Sequence, residues 1–113
     1  MHEMSLCQGL FELMEGQQRK DGFQRVRRVV LEVGVLGHVE PEALRFAFDS
    51  LAPGSLADGA TLELIDVPAR AWCMACSQSV DMERRGDPCP HCGGYQLIVE
   101  QGEELRLKEL EVV

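Results

Sequence analysis

Four cysteines form two Cys-x-x-Cys turns, Cys73 with Cys76 and Cys89 with Cys92, and twelve residues separate the turns. Each turn places two sulfurs on one side of a tight loop, so two such turns facing each other make a tetrahedral site of four thiolates. This geometry suits Zn²⁺, which has no d-electron preference and binds thiolate well. The spacing therefore predicts a structural zinc site. Iron in a rubredoxin-like site, disulfides and a redox dithiol are the alternatives that it leaves open.

The residues around the second turn fit a metal knuckle. Pro88 restricts the chain at the entry to the turn, and Gly93 and Gly94 follow the last cysteine. Glycine adopts positive φ angles without a steric penalty, so the chain can turn back closely around a metal. A knuckle of this size can hardly bury a core of its own, so we expect the metal to supply its folding energy. His91 lies between two thiolate positions and could tune the site as a hydrogen-bond donor.

The opening residues Met1, His2 and Glu3 are a second group that could bind a metal. The terminal amine, the amide nitrogen of residue 2 and the imidazole of His2 can chelate one cation together. Ni²⁺ and Cu²⁺ promote loss of the amide proton, and nitrogen-rich square-planar sites favour these two ions. Glu3 or a more distant carboxylate could fill a remaining position. A histidine at position 2 is usually a mobile terminal residue, so the triplet alone does not establish a nickel site.

Length, charge and cysteine usage restrict the classes of protein. A chain of 113 residues with 45% hydrophobic residues is expected to form one domain, or one domain with a small insert. A net charge of -8 argues against nucleic acid as a partner, because polyanion binding needs clustered Lys and Arg. The opening residues do not resemble a signal peptide, and no stretch approaches the ~18 apolar residues of a membrane span. We therefore expect a cytoplasmic protein with reduced thiols.

Hydrophobic periodicity predicts the elements that position these groups. Apolar residues at helical spacing predict a first helix over residues 4–18, which Gly16 and the polar run to Gly22 should end. Pro41 suits the first position of a second helix. The further predicted elements are a strand over 25–35, that second helix over 40–51, a strand over 60–67 and a strand-like closing segment over 105–112.

These elements predict an α+β fold, in which a small three-stranded sheet with two helices carries an inserted zinc-knuckle subdomain of the rubredoxin or zinc-ribbon type. Residues 1–68 together with 103–113 are expected to form the α+β domain. Residues 69–102 are expected to form the inserted zinc-binding domain. The sequence leaves open whether the protein is a monomer or a homodimer.

Several segments together resemble the HypA/HybF family of hydrogenase nickel-incorporation metallochaperones. They are the opening Met1–Cys7, the strand segment Leu31–Gly34, the helical segment Val39–Phe48 and the two Cys-x-x-Cys turns. The resemblance covers essentially the whole chain. The stretches Ala71–Cys73 and Cys89–Cys92 look closer to the HybF branch.

The resemblance implies a protein that binds Ni²⁺ at its amino terminus and helps to insert it into the large subunit of NiFe hydrogenase. It implies a HypB-type GTPase as a partner, and urease maturation proteins as further partners of some members. His2 is implied as the principal nickel ligand, Glu3 as a contributor through its backbone or side chain, and Glu40 as a further carboxylate. The four cysteines match the structural zinc ligands, and residues 1–68 with 103–113 become the nickel-binding domain.

Other functions would use the same residues. A zinc-ribbon adaptor or nucleic-acid-binding module without nickel transfer would use the same four cysteines, although nucleic-acid binding also needs a basic face and exposed aromatics. A rubredoxin-like electron carrier would hold iron there. The sequence contains neither a plausible nucleophile–base pair nor a phosphate-binding glycine loop, which favours a carrier over an enzyme. The nickel coordination number, the participation of the Met1 amine or of Glu40, the role of His91 and the client hydrogenase stay open.

Overall fold

The computed structural model describes residues 2–113, and over these residues it contains two helices and two three-stranded sheets. Met1 lies outside the described residues, and so does the predicted role of its amine. The α+β fold with two helices and a small three-stranded sheet is confirmed, and the cysteine segment forms a second sheet. The elements are α1 His2–Asp21, β1 Val26–Gly34, α2 Pro41–Leu51, β2 Thr61–Val67, β3 Ala69–Cys73, β4 Gln78–Met82, β5 Leu97–Gln101 and β6 Leu105–Val112.

The first sheet has the strand order β2-β1-β6, and the second has the order β4-β3-β5. Contacts divide the chain into two compact units. The first unit comprises Met1–Leu31, Val39–Leu64 and Leu107–Val113, and the second comprises Glu32–His38 and Ile65–Arg106.

Helix α1 is longer than the periodicity predicted, because Gly16 does not end it. One glycine costs a helix only about 1 kcal/mol, and the Gln17 side chain donates a 2.6 Å hydrogen bond to Asp21 in the last turn. Gly22 follows with φ 77°, and its N–H donates to the carbonyl of Gln18. Neither helix of the described residues is long and apolar enough to cross a lipid bilayer.

The core of the first unit forms where the helices meet. The rings of Phe11 in α1 and Phe48 in α2 lie 5.4 Å apart, tilted by 52°. A tilted aromatic pair adds about 1 kcal/mol beyond its buried area. The centre of the apolar face of α1 is buried and consists of Cys7, Leu10, Phe11 and Met14, whereas Leu13, which the periodicity added to this face, is exposed.

Around the metal-site cysteines the second unit has a small buried cluster, half of which is cysteine. Strand β3 pairs antiparallel with both β4 and β5, and Ala71 lies opposite Val80 and Val99. The alternation along β3 turns Trp72 outward, where it is 39% exposed. The fully buried residues of this cluster are Ala71, Cys73, Val80 and Cys89.

Two glycines allow three backbone segments of the second unit to approach closely. A Cβ atom on Gly34 would lie 2.2 Å from the carbonyl oxygen of Gly102. A Cβ atom on Gly102 would lie 2.7 Å from the Cα of Ala69, and Gly102 has a φ of 109°. The same Gly102 carbonyl accepts a 2.7 Å hydrogen bond from Leu36. No other residue type fits at these two positions without a backbone shift.

Gly34→Ala is therefore expected to lower the free energy of unfolding by about 1–3 kcal/mol, because the methyl group forces the backbone apart. Gly9→Ala in α1 is the matched control, since a Cβ atom added there would meet nothing within 4 Å. This control should raise the free energy of unfolding by about 0.5–1 kcal/mol. Denaturant unfolding of the metal-loaded proteins measures both. An unchanged midpoint for Gly34→Ala would contradict the close approach.

Candidate metal centres

The four cysteine sulfurs lie at the corners of one compact site. The Sγ atoms of Cys73 and Cys92 are 3.7 Å apart, and those of Cys76 and Cys89 are 3.8 Å apart. All four lie within 4.8 Å of one another. A tetrahedral metal with bonds of about 2.3 Å to sulfur needs sulfur–sulfur distances of about 3.8 Å, whereas a disulfide needs about 2.05 Å. The sulfurs are therefore spaced to share one cation.

The two Cys-x-x-Cys turns have the same backbone geometry. The N–H of Ser77 donates to the carbonyl of Cys73, and the N–H of Gly93 donates to that of Cys89, both at 2.8 Å. Gly93 has a φ of 74°, so its predicted positive angle is confirmed. Ser77 takes the equivalent position with a φ of 53°, at a cost of about 1 kcal/mol for a residue with a Cβ. The first turn thus stores strain that the shared site must offset.

Backbone N–H groups point at three of the four sulfurs, each at 3.4 Å. Such bonds favour the thiolate over the thiol, since the donor stabilises negative charge on sulfur. His91 contributes through its backbone N–H, and its side chain is exposed. The three pairs are Cys76 to Cys73, His91 to Cys89 and Gly94 to Cys92.

The protonation of the cluster shows why it needs a cation. The backbone N–H of Cys92 is the main cause that lowers the pKa of Cys89 to about 6. For Cys76, the side-chain hydrogen bond with Cys92, followed by burial, raises the pKa to about 12. Four crowded sulfurs cannot all ionise on their own, so protons are retained between them. A divalent cation would displace these protons and neutralise the thiolates.

The amino-terminal residues lie in the first turn of α1. The side chain of His2 is 52% exposed, whereas that of Glu3 is 12% exposed. The Oε2 atom of Glu3 lies 3.3 Å from Nδ1 of His2 and accepts a 3.2 Å hydrogen bond from the backbone N–H of Glu40. This hydrogen bond is the main cause that holds the pKa of Glu3 below its usual value. The structure thus brings together the three residues that the family resemblance implied for nickel.

The contact between Glu3 and Glu40 is one that sequence reasoning missed. The resemblance implied Glu3 as a contributor through its backbone or side chain and Glu40 as a further carboxylate, but Glu40 meets Glu3 through its backbone N–H. The available signal was Pro41, which indicated that residue 40 begins a helix and needs a capping partner. Glutamate is a poor capping residue for its own helix. The sequence does not identify the residue that accepts the hydrogen bond, which lies 37 residues away.

Arg25, Arg27 and Arg28 form a basic cluster at the start of β1, but Arg28 does not offer a free basic surface. Its guanidinium forms an ion pair with Glu63 and contacts Glu109 at 2.9 Å and Glu111 at 3.4 Å. These three carboxylates outnumber the single positive charge and raise the pKa of Arg28. An acidic surface of this kind repels the phosphates of a nucleic acid.

Comparison with known proteins gives one family over the whole chain. The model of the family described as "Hydrogenase/urease nickel incorporation, metallochaperone, hypA" matches residues 1–112. Hydrogenase maturation factor HypA 2 of Bradyrhizobium diazoefficiens is 54% identical over 112 residues, which cover 99% of each chain. Hydrogenase maturation factor HypA of Acidithiobacillus ferrooxidans is 53% identical over the same length and share.

Solved structures share the fold. The solution structure of the Ni metallochaperone HypA from Helicobacter pylori is 27% identical, with a TM-score of 0.72, and the match covers 100% of this chain and 98% of the other. A second solution structure, of a HypA protein, matches with a TM-score of 0.76 at 27% identity, covering 100% and 97%.

Cys89→Ser is expected to abolish metal retention and to unfold the second unit, because one ligand and one quarter of its buried cluster are lost together. Cys7→Ala is the matched control. Cys7 is buried in α1, where desolvation raises its pKa to about 11, and it belongs to the other unit. The control should keep one metal per chain and lose about 1 kcal/mol of stability. Elemental analysis after dialysis, with thermal unfolding, measures both.

A metal-to-protein ratio of one in the Cys89→Ser protein would contradict a site made of four thiolates. Equal metal loss in the Cys7→Ala protein would also contradict it, because the loss would then reflect general destabilisation.

Metal retention is expected to fall as the pH is lowered, because protons compete with the metal for the thiolates; the lowered pKa of Cys89 makes its thiolate available at neutral pH. A thiol whose pKa is lowered in the folded state contributes stability at high pH and loses it as the pH falls through that pKa. The released metal can be followed with a chromogenic chelator as the pH is lowered from about 7.5 to about 4. Full retention at the acidic end of this range would contradict a thiolate-held metal.

Proposed function

The chain belongs to the HypA family of hydrogenase/urease nickel-incorporation metallochaperones, and from this membership we propose how it binds and delivers its cargo. It is a nickel metallochaperone of hydrogenase maturation. The proposal is that it binds Ni²⁺ at its amino terminus, catalyses no reaction itself, and releases the ion to the large subunit of NiFe hydrogenase.

The observation that carries the proposal is the half-exposed imidazole of His2 at the start of α1. His2 is the principal nickel ligand, and Glu3 occupies the next position of the site. The N–H groups in the first turn of a helix have no acceptor within that helix. Nickel can therefore replace the amide proton of residue 2 without breaking a helical hydrogen bond. An exposed site of this kind can exchange its ion with a partner.

The four cysteines hold a resident Zn²⁺ in the proposed protein. Their sulfur–sulfur distances of 3.7 and 3.8 Å support a tetrahedral ion bound through four thiolates. Zinc supplies folding energy and no redox chemistry at such a site. A site closed by four thiolates would release an ion too slowly for a cargo, so the two sites have separate tasks. Colourless purified protein with one zinc per chain would distinguish zinc from iron.

The proposed partners are a HypB-type GTPase, the hydrogenase large subunit and, in some settings, urease maturation proteins. The acidic surface supports basic partner surfaces and argues against nucleic acid. We place the protein in the cytoplasm, because thiolate metal sites need a reducing compartment. Residues 1–68 with 103–113 are proposed as the nickel-binding domain, and residues 69–102 as the inserted zinc-binding domain.

His2→Ala is expected to remove the tight binding of one Ni²⁺ per chain, because the imidazole ligand is lost. His38→Ala is the matched control, since it removes the same side chain from a position that has no proposed role. Calorimetric titration of untagged, zinc-loaded proteins measures the affinity, and hydrogenase activity in complemented cells measures delivery. His38→Ala should leave both unchanged.

Equal nickel affinity in the wild-type and His2→Ala proteins would remove the amino-terminal site from the proposal. Normal hydrogenase activity with the His2→Ala protein would leave the chain as a zinc-stabilised adaptor.

A further inference from the structure

We propose that the carboxylate of Glu3 is a positioning group, which holds the amino-terminal nickel ligands against α2 and does not itself coordinate the ion. This inference rests on the nickel site at His2 that is proposed above. The sequence left open whether Glu3 contributes to nickel binding through its backbone or through its side chain. The proposal distinguishes these two possibilities.

The first argument is the burial of the carboxylate. The side chain of Glu3 is 12% exposed, and among the described residues Glu3 is the buried charged residue. Its neighbours include Met4, Ala43 and Phe46, which line with it a mostly apolar pocket of about 170 Å³. A hydrogen bond to a charged group is stronger in apolar surroundings than in water. A carboxylate held in this way is poorly placed to exchange a cargo ion with solvent or a partner.

The second argument is the unusual start of α2. Glu40 is its N-cap in an extended conformation, with φ -84° and ψ 113°, and its own side chain makes no capping hydrogen bond. The Glu40 N–H instead donates to the carboxylate of Glu3 at 3.2 Å. A negative charge at this end of a helix is also favoured by the helix dipole. The Glu3 carboxylate thereby ties the first turn of α1 to the first turn of α2.

The third argument is the position of the imidazole. A chelate that uses the amide nitrogen of residue 2 must use Nδ1 of His2, because Nε2 points away from the residue's own backbone. Nδ1 is the atom that lies 3.3 Å from the Glu3 carboxylate. In the unloaded protein the carboxylate holds the ring beside the site. When nickel binds, Nδ1 gives up this contact to the ion and the amide proton leaves to solvent. The contact that persists in the loaded protein, and that the positioning role requires, is the hydrogen bond from the Glu40 N–H.

The test compares Glu3→Gln with Glu3→Ala in the zinc-loaded, full-length protein. The glutamine oxygen can still accept from Glu40, whereas alanine leaves that N–H without this acceptor. Nickel titration should show Glu3→Gln within about threefold of wild type and Glu3→Ala weaker by about tenfold or more. The amide resonance of Glu40 should move in Glu3→Ala and stay in Glu3→Gln. The nickel absorption bands should be the same in all three proteins, because the ligand set is unchanged.

Glu3→Asp keeps the carboxylate but shortens its reach, so it should weaken nickel binding as Glu3→Ala does. This variant keeps the proposal testable if the Glu3→Ala protein does not fold. Equal weakening in Glu3→Gln and Glu3→Ala, with altered absorption bands in both, would show that the carboxylate is a ligand and overturn the proposal. Unchanged affinity in both Glu3→Ala and Glu3→Asp would overturn it as well.

His2→Ala in the same titration distinguishes a failure of the positioning role from a failure of the nickel site. Loss of binding in His2→Ala with full binding in Glu3→Ala and Glu3→Asp would overturn the positioning role alone. Full binding in His2→Ala would overturn the nickel site itself, and with it both proposals.

Discussion

The second unit depends on four sulfurs sharing one site. Cys73 ends β3, the central strand of the second sheet, and Cys89 completes the same buried cluster. Two of the four fully buried residues in that cluster are therefore ligands. Apolar burial on this scale cannot offset the conformational entropy lost by the roughly fifty residues of the unit, at about 1–2 kcal/mol each for the backbone. The strands around the cluster consequently need a cation to hold the sulfurs 3.7–3.8 Å apart.

The first unit, in contrast, is held together by apolar packing. Its helices meet through an apolar interface around Phe11 and Phe48, and its single cysteine, Cys7, is packed as a hydrophobic residue. The imidazole of His2 is half-exposed at the start of the first helix. A soft, closed sulfur site retains its metal, whereas an open nitrogen site can release one. In the proposed function, one chain combines a metal that stabilises with a metal that is carried, because the two sites differ in ligand type and in exposure.

Periodicity predicted the helices and the strands of the first sheet to within a few residues. It failed at the end of α1, since Gly16 costs too little to stop a helix that Gln17 and Asp21 support in the next turn. The strands of the cysteine segment, β3, β4 and β5, have only five residues each. Alternation over such short strands is a weak signal, and the exposed Ile98 obscures the polar face of β5.

The sequence by itself determined the grouping of the four sulfurs, because a Cys-x-x-Cys turn is local and its geometry depends on neighbouring residues. It also indicated the amino-terminal histidine through a resemblance that covers the whole chain. Only the tertiary structure decided what Glu3 does, since its partner Glu40 lies 37 residues away and meets it through a backbone N–H. Backbone groups are the same at every residue, so no side-chain pattern can specify such a contact. The packing of α1 against α2 creates it.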